Sequence, residues 1–358
     1  MKTIENSAFE KCWNLKTVTI PNSVKTIENS AFKGCTGLKT VTIGNSVTTI
    51  GISAFAGCTG LTEVTIPNSV TTIWSGAFGH CDNLKKVIWN ARNVENPPRS
   101  SPFSNCDQLT NFIFGENIQS IPSHLCYELK SLNTIIIPNS ATSIGDFAFS
   151  SCTGLTKVTI PKSVTKIGNE VFSSCTGLKK VIWNARYIWD LTTTPYPLFF
   201  ECDRLTEFVF GEEVEIIPNH LCEGFESLKT IVIGNSVTKI GYEAFAGCTG
   251  LTEVTIPNSV TEIGSGAFDS CTGLTTVTMG NSMKNIGSSA FAGCTGLTTV
   301  TMGNSMKNIG SSAFSGCTGL TTMTIPNSVI FIGSSAFADC IYNHRTTKTN
   351  QKYPSVNL

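Results

Sequence analysis

Apolar residues recur along this chain at a fixed interval. Counted from Cys58 they fall at +3, +6, +8, +12, +15, +19 and +20, as Leu61, Val64, Ile66, Val70, Ile73, Ala77 and Phe78. The cycle then restarts at Cys81, 23 residues on. The same register runs through starts at 12, 35, 58, 81, 106, 129, 152, 175, 202, 225, 248, 271, 294, 317 and 340. Only the intervals 81–106 and 175–202 are longer than 23 residues. A period of this length specifies a solenoid, in which each turn buries its apolar face only against its neighbours. Segments 271–293 and 294–316 differ only at Ala292 against Ser315, the mark of duplication.

Two periodicities share each unit. From Leu61 to Ile66 the pattern ends in alternation, with Val64 and Ile66 inward and Glu63 and Thr65 outward. Pro67 then stops the strand, because it has no N–H to continue a ladder. Pro67-Asn68-Ser69 is turn chemistry. Ala77, Phe78, Cys81 and Leu84 fall at i, i+1, i+4 and i+7, the spacing of one helical face. The expectation is an α/β solenoid of about 14 turns, with parallel strands side by side and short helical turns opposite. A Ser or Asn after Ile-Gly would cap each helical turn, and the Gly of Cys-Thr-Gly-Leu would end it. Residues 1–340 form this array as one domain, and 341–358 a polar C-terminal tail. Met1 occupies the +12 slot of a turn already in progress, so the chain reads as a piece of a longer protein.

The repeated motif LxxVxIPxSVxxIGxxAFxxC resembles the BspA-like leucine-rich repeats of bacterial and some protist surface proteins, over about 1–340. The resemblance implies a curved stack with its parallel sheet on the concave face. It also implies display at the cell surface or secretion, adhesion, and binding of a host or matrix protein. It supplies no catalytic residue and no cofactor.

Composition narrows the partners. Lys and Arg number 25 against 25 Asp and Glu, which favours neither nucleic acid nor an acidic membrane. No apolar run of about 20 residues reads as a membrane-inserted helix. Thirteen of the fifteen cysteines occupy one core column, in which Leu129 and Phe225 fill the same slot, and Cys126 and Cys222 sit where the phenylalanine usually falls; a buried free cysteine behaves as a small hydrophobe. With no CxxC pair and no zinc-ligand spacing, they read as reduced structural residues rather than disulfides or metal ligands. His124 and His220 are equivalent positions in two copies of a larger module. No Ser/His/Asp or Cys/His set is brought together by spacing, so no catalytic site and no metal site is expected.

The outward +7 position carries the candidate site. Thr occupies it in eight of fourteen strands, for instance Thr42, Thr65 and Thr278. The six exceptions form two runs, Ile88-Ile113-Ile136 and Ile182-Val209-Val232. Each run begins in a unit with Trp at +8 (Trp89, Trp183) and an enlarged loop, 90–102 with Arg92 or 184–198 with Tyr187, Trp189 and Tyr196. One reading makes each run a docking strip with an aromatic and arginine rim. The other makes each loop a plug that covers its strip. Two further functions stay open: a purely structural spacer holding another domain, and an ice-binding-like array built on Thr276-Val-Thr278 above Thr299-Val-Thr301. Charges at +5 such as Glu63 and Lys86 argue against ice.

Overall fold

The computed structural model describes residues 2–94, 100–186, 188, 198–321 and 323–340. They fall into two compact units, Met1–Glu213 and Val214–Leu358. Both are parallel β-solenoids built on the same repeat. The stretches 95–99, 189–197 and 341–358 lie outside the described residues, as do Tyr187 and Thr322; the polar tail and most of both loop tips are therefore among them.

The expected strands form with the expected facing. In the first unit Thr17–Ile20 pairs in parallel with Thr40–Ile43, aligning each residue with the one 23 positions on. Glu63–Ile66 pairs with Lys86–Trp89, and that strand with Asn111–Phe114. Lys157–Ile160, Lys180–Trp183 and Glu207–Phe210 continue the series. In the second unit Glu253–Ile256, Thr276–Met279 and Thr299–Thr301 repeat it. Val64 and Ile66 are buried while Glu63 and Thr65 face solvent. Behind Pro67 the chain turns at once, with the Val70 amide on the Pro67 carbonyl at 3.2 Å.

A second series of parallel two-residue strands runs behind the first. Thr3–Ile4, Thr26–Ile27, Thr49–Ile50 and Thr72–Ile73 form one sheet in the first unit. In the second unit a six-stranded sheet runs from Ile216–Ile217 to Phe331–Ile332. The isoleucine of each pair is the +15 residue, buried at Ile4, Ile27, Ile50 and Ile73 and exposed only at the last of these strands, Ile332. Alternation over two residues is too short to stand out in the sequence.

The helical turns expected opposite the main strands are not there. Among the described residues no segment forms a helix. The backbone after Gly51 shows why. Ala54, Ala56 and Cys58 donate to Gly51, Ser53 and Phe55, each three residues back in their own turn. The alternating amides of Ser53, Phe55 and Gly57 donate instead to Ser75, Ala77 and Gly79 of the next turn. Ser53 at φ 52° and Gly57 at φ 69° flip those amides along the stack. A helix needs unbroken negative φ and i→i−4 bonds, so it cannot coexist with this arrangement. Ala54, Phe55 and Cys58 still face the core, which is why the helical spacing of the apolar residues was misleading.

The slot read as a helix cap, two residues after the +15 isoleucine, does other work, as in the turn of Ile27-Glu28-Asn29. Asn29 accepts, through Oδ1, the Ile52 amide of the following turn at 2.7 Å. Gly60, in Cys-Thr-Gly-Leu, meets a different demand from a left-handed cap. A Cβ there would sit 2.7 Å from the Leu38 carbonyl oxygen of the turn before.

The core is columnar. Phe9, Phe32, Phe55 and Phe78 stack with centroids 5.0 Å apart, and Phe268 and Phe291 at 5.1 Å. All fifteen cysteines are free thiols, buried except Cys12 and Cys340, and thirteen of them form a parallel column.

Candidate functional site

The six strip residues do not share one environment. In the first unit Ile88 sits opposite Ile113 on the paired strands Lys86–Trp89 and Asn111–Phe114. Ile136 follows the next strand, Thr134–Ile135, which pairs in register with Asn111–Phe112. Ile88 is half-buried, Ile113 is 42% exposed and Ile136 82% exposed. Ile182 sits opposite Val209, and both are half-buried. Val232 ends the strand Thr230–Val232 of the second unit and is 46% exposed. Within the first unit, Ile113 and Ile136 are thus the exposed members of the two runs, while Ile88, Ile182 and Val209 are half-buried.

The loop ends are fastened to the core. Trp89 is buried and its Nε1 donates to the Ala91 carbonyl at 3.1 Å. Arg92 is exposed, while its carbonyl accepts the amides of Gln119 and Ser120 and so holds the loop in register with the turn above. At the far end Ser101 is buried, with Oγ donating to the Leu125 carbonyl at 3.1 Å. In the second loop Ala185, Ile188 and Leu198 are buried. Tyr187, Trp189 and Tyr196 lie outside the described residues.

Beside Ile136 the strand ends frame an open cleft of about 820 Å³. Ile136 lines it with the apolar Phe114, Ile135, Ile137 and Pro138 and the charged Glu116, Lys162, Glu212 and Glu213. Lys162 Nζ donates to Glu213 Oε1 at 2.8 Å across solvent-exposed side chains, and this ion pair holds the Glu213 carboxyl below its ordinary range. The exposed Ile136 thus belongs to a concave surface, unlike an isolated surface isoleucine.

The thiols offer little chemistry. Cys58 Sγ donates to the Phe32 carbonyl at 3.2 Å, and Cys271, Cys294 and Cys317 make the same bond to Phe245, Phe268 and Phe291. Burial pushes the Cys58 and Cys248 thiols up to about 12, far from the thiolate form that nucleophiles and metal ligands require.

One cluster escaped the sequence reading. His220, Glu223 and Glu243, in the second unit, bring their ligating atoms within 4.8 Å of one another. Its signal was His220 standing one period before Glu243 in the same column.

The repeat itself places the chain. A model of the BspA-type leucine-rich repeat region matches residues 2–98, 97–226 and 215–344. The chain belongs to the BspA-type leucine-rich repeat family. A leucine-rich repeat protein from Bacteroides ovatus is 30% identical, over 84% of this chain and 82% of its own, with a TM-score of 0.56. A leucine-rich cell surface protein from Faecalibacterium prausnitzii is 27% identical, over 84% of this chain and 83% of its own, with a TM-score of 0.37. No curated protein matches the chain. BspA-type repeats are non-catalytic scaffolds, commonly of surface proteins, and leucine-rich repeats in general mediate protein–protein interactions. Among the described residues of this BspA-type chain, no helix is long and apolar enough to cross a membrane.

Proposed function

We propose that this chain is a non-catalytic adhesion module of a cell-surface or secreted protein, binding a host or matrix protein through the main strand face of its first unit. The observation that carries this reading is the exposure of Ile136 and Ile113, in a column that holds threonine in eight of its fourteen strands. Ile88 flanks them, Arg92 is the exposed basic group of the adjacent loop, and the cleft beside Ile136 would receive a projecting side chain. Full burial of one such aliphatic side chain is worth about 1.5–3 kcal/mol, so two or three support modest affinity. In the second candidate run, Ile182 and Val209 belong to the first unit and Val232 to the second, each considered with its own unit. Ile182 and Val209 start half-buried and have less to gain. Partner binding here requires neither nucleic acid nor membrane insertion.

The test is binding of the wild-type chain and an Ile113→Asp/Ile136→Asp variant to a panel of purified matrix and serum proteins. An adhesion module loses its partner in the variant while its melting temperature holds. A spacer shows the same binding, or none, with both chains.

A further inference from the structure

We infer that His220, Glu223 and Glu243 form a surface site for a divalent cation of the zinc class. The column geometry of the repeat makes the cluster. His220 and Glu243 occupy the same position in successive turns, both in the left-handed region at φ 55° and 48°. Their backbones are tied together, because the His220 amide donates to the Tyr242 carbonyl at 3.0 Å. The Glu243 amide donates in turn to Ser265 at 3.0 Å. Asn219 Oδ1 accepts the Tyr242 amide at 2.8 Å and fixes the same pair of turns. Glu223, three residues after His220, comes back to the same imidazole. His220 Nδ1–H donates to Glu223 Oε2 at 2.6 Å, and Glu243 Oε2 lies 3.4 Å from the same nitrogen.

These separations suit a metal. With bonds of about 2.0–2.2 Å to imidazole nitrogen and carboxylate oxygen, donors of a tetrahedral site stand about 3.4 Å apart. The Glu243 oxygen is already at that distance from the imidazole nitrogen, and Glu223 has only to draw back as the cation replaces the Nδ1 proton. An imidazole among the ligands favours zinc-like cations over calcium or magnesium, which take oxygen ligands. Three protein ligands leave a fourth position for water or a donor from another molecule.

The chain carries its own control. The duplicated module places His124 where His220 stands, Tyr127 in place of Glu223 and Phe147 in place of Glu243. There the imidazole stacks on Phe147 with centroids 5.1 Å apart and meets Tyr127 edge-on at 5.8 Å. The fold therefore makes no demand for carboxylates at these positions. At these two positions one module carries aromatic residues and the other carries acidic ones. Two carboxylates turned toward one point repel each other unless a cation stands between them.

Calorimetric titration of the full reduced chain with zinc chloride tests the site. The variants are His220→Ser, Glu243→Ser and His124→Ser. Serine stands at this position, with the same positive φ, in turns such as those of Ser289 and Ser312, so each variant keeps a residue the fold accepts. One zinc-binding event is expected in the wild type and in His124→Ser. It should weaken at least about tenfold in His220→Ser and Glu243→Ser, since loss even of outer-shell partners costs about 10–100-fold. Unchanged melting temperatures without zinc would show that the variants are folded. Absence of zinc binding in the wild type, or equal binding in His220→Ser, overturns the assignment.

Discussion

The Cys58 thiol donates to the carbonyl of Phe32, 26 residues earlier, at 3.2 Å, and so links adjacent turns from inside the core. The same bond recurs wherever the repeat continues undisturbed, as at Cys81 to Phe55 and Cys175 to Phe149. Cysteine satisfies two demands in this column, being small and apolar while still supplying a weak donor to a buried carbonyl. Leu129 fills the slot without that donor, so packing is the stricter requirement.

Thiol reactivity follows from burial. In the native protein a thiol reagent at neutral pH should label Cys12 fast, because it alone is exposed. The buried thiols should react only after denaturation. Rapid native labelling of many cysteines would contradict the burial of the column.

The thiols also make stability fall at alkaline pH. Cys58 is raised by burial from its ordinary value of 9.0 to about 12. Between those values the folded chain keeps a proton that the unfolded chain releases. The contribution is therefore complete below about pH 9 and is lost as pH rises toward 12, by at most about 1.4 kcal/mol per pH unit for each thiol. Denaturant midpoints measured from pH 8 upward should decline, and replacing Cys58 and Cys248 together by alanine should flatten the decline. A pH-independent midpoint across that range would exclude the linkage.

Backbone strain at the outer turns predicts a stabilising substitution. Ser53 sits at φ 52°, and the equivalent position holds Gly76 at 62° and Gly266 at 63° in other turns. A non-glycine residue in the left-handed region costs about 1–2 kcal/mol. Ser53→Gly should therefore raise stability, by up to about 1 kcal/mol once the extra freedom of glycine in the unfolded chain is allowed for. Gly60→Ala should do the reverse, because its methyl group would meet the Leu38 carbonyl at 2.7 Å. Thermal melts of the two variants decide both signs.

How much the sequence disclosed depended on which atoms carried the signal. Side-chain burial was legible: the seven apolar columns from Leu61 to Phe78 are the buried ones, and strand facing followed from alternation. Backbone conformation was not. Ala77, Phe78, Cys81 and Leu84 have the spacing of a helix, yet the amides between them alternate between their own turn and the next, and no apolar pattern records that choice. The two-residue strands at Thr49–Ile50 and its neighbours were hidden because one alternation step is indistinguishable from chance. The candidate strips were legible as residue types but not as surfaces, since Ile88 and Ile136 share a column and differ widely in exposure. The His220 cluster needed the knowledge that positions one period apart stack side by side.

Differential capture decides whether the Ile113–Ile136 face is a binding surface. Immobilised wild-type chain, Ile113→Asp/Ile136→Asp, and a control with Thr278→Asp on the threonine face of the second unit would be exposed to the same panel of purified matrix and serum proteins. Affinity would be read for each pair beside a melting curve of each variant. At least one partner should be retained by the wild type and by Thr278→Asp, and lost in the isoleucine variant with an unchanged melt. Equal binding by all three chains, or no partner for any, would rule the face out as a binding surface.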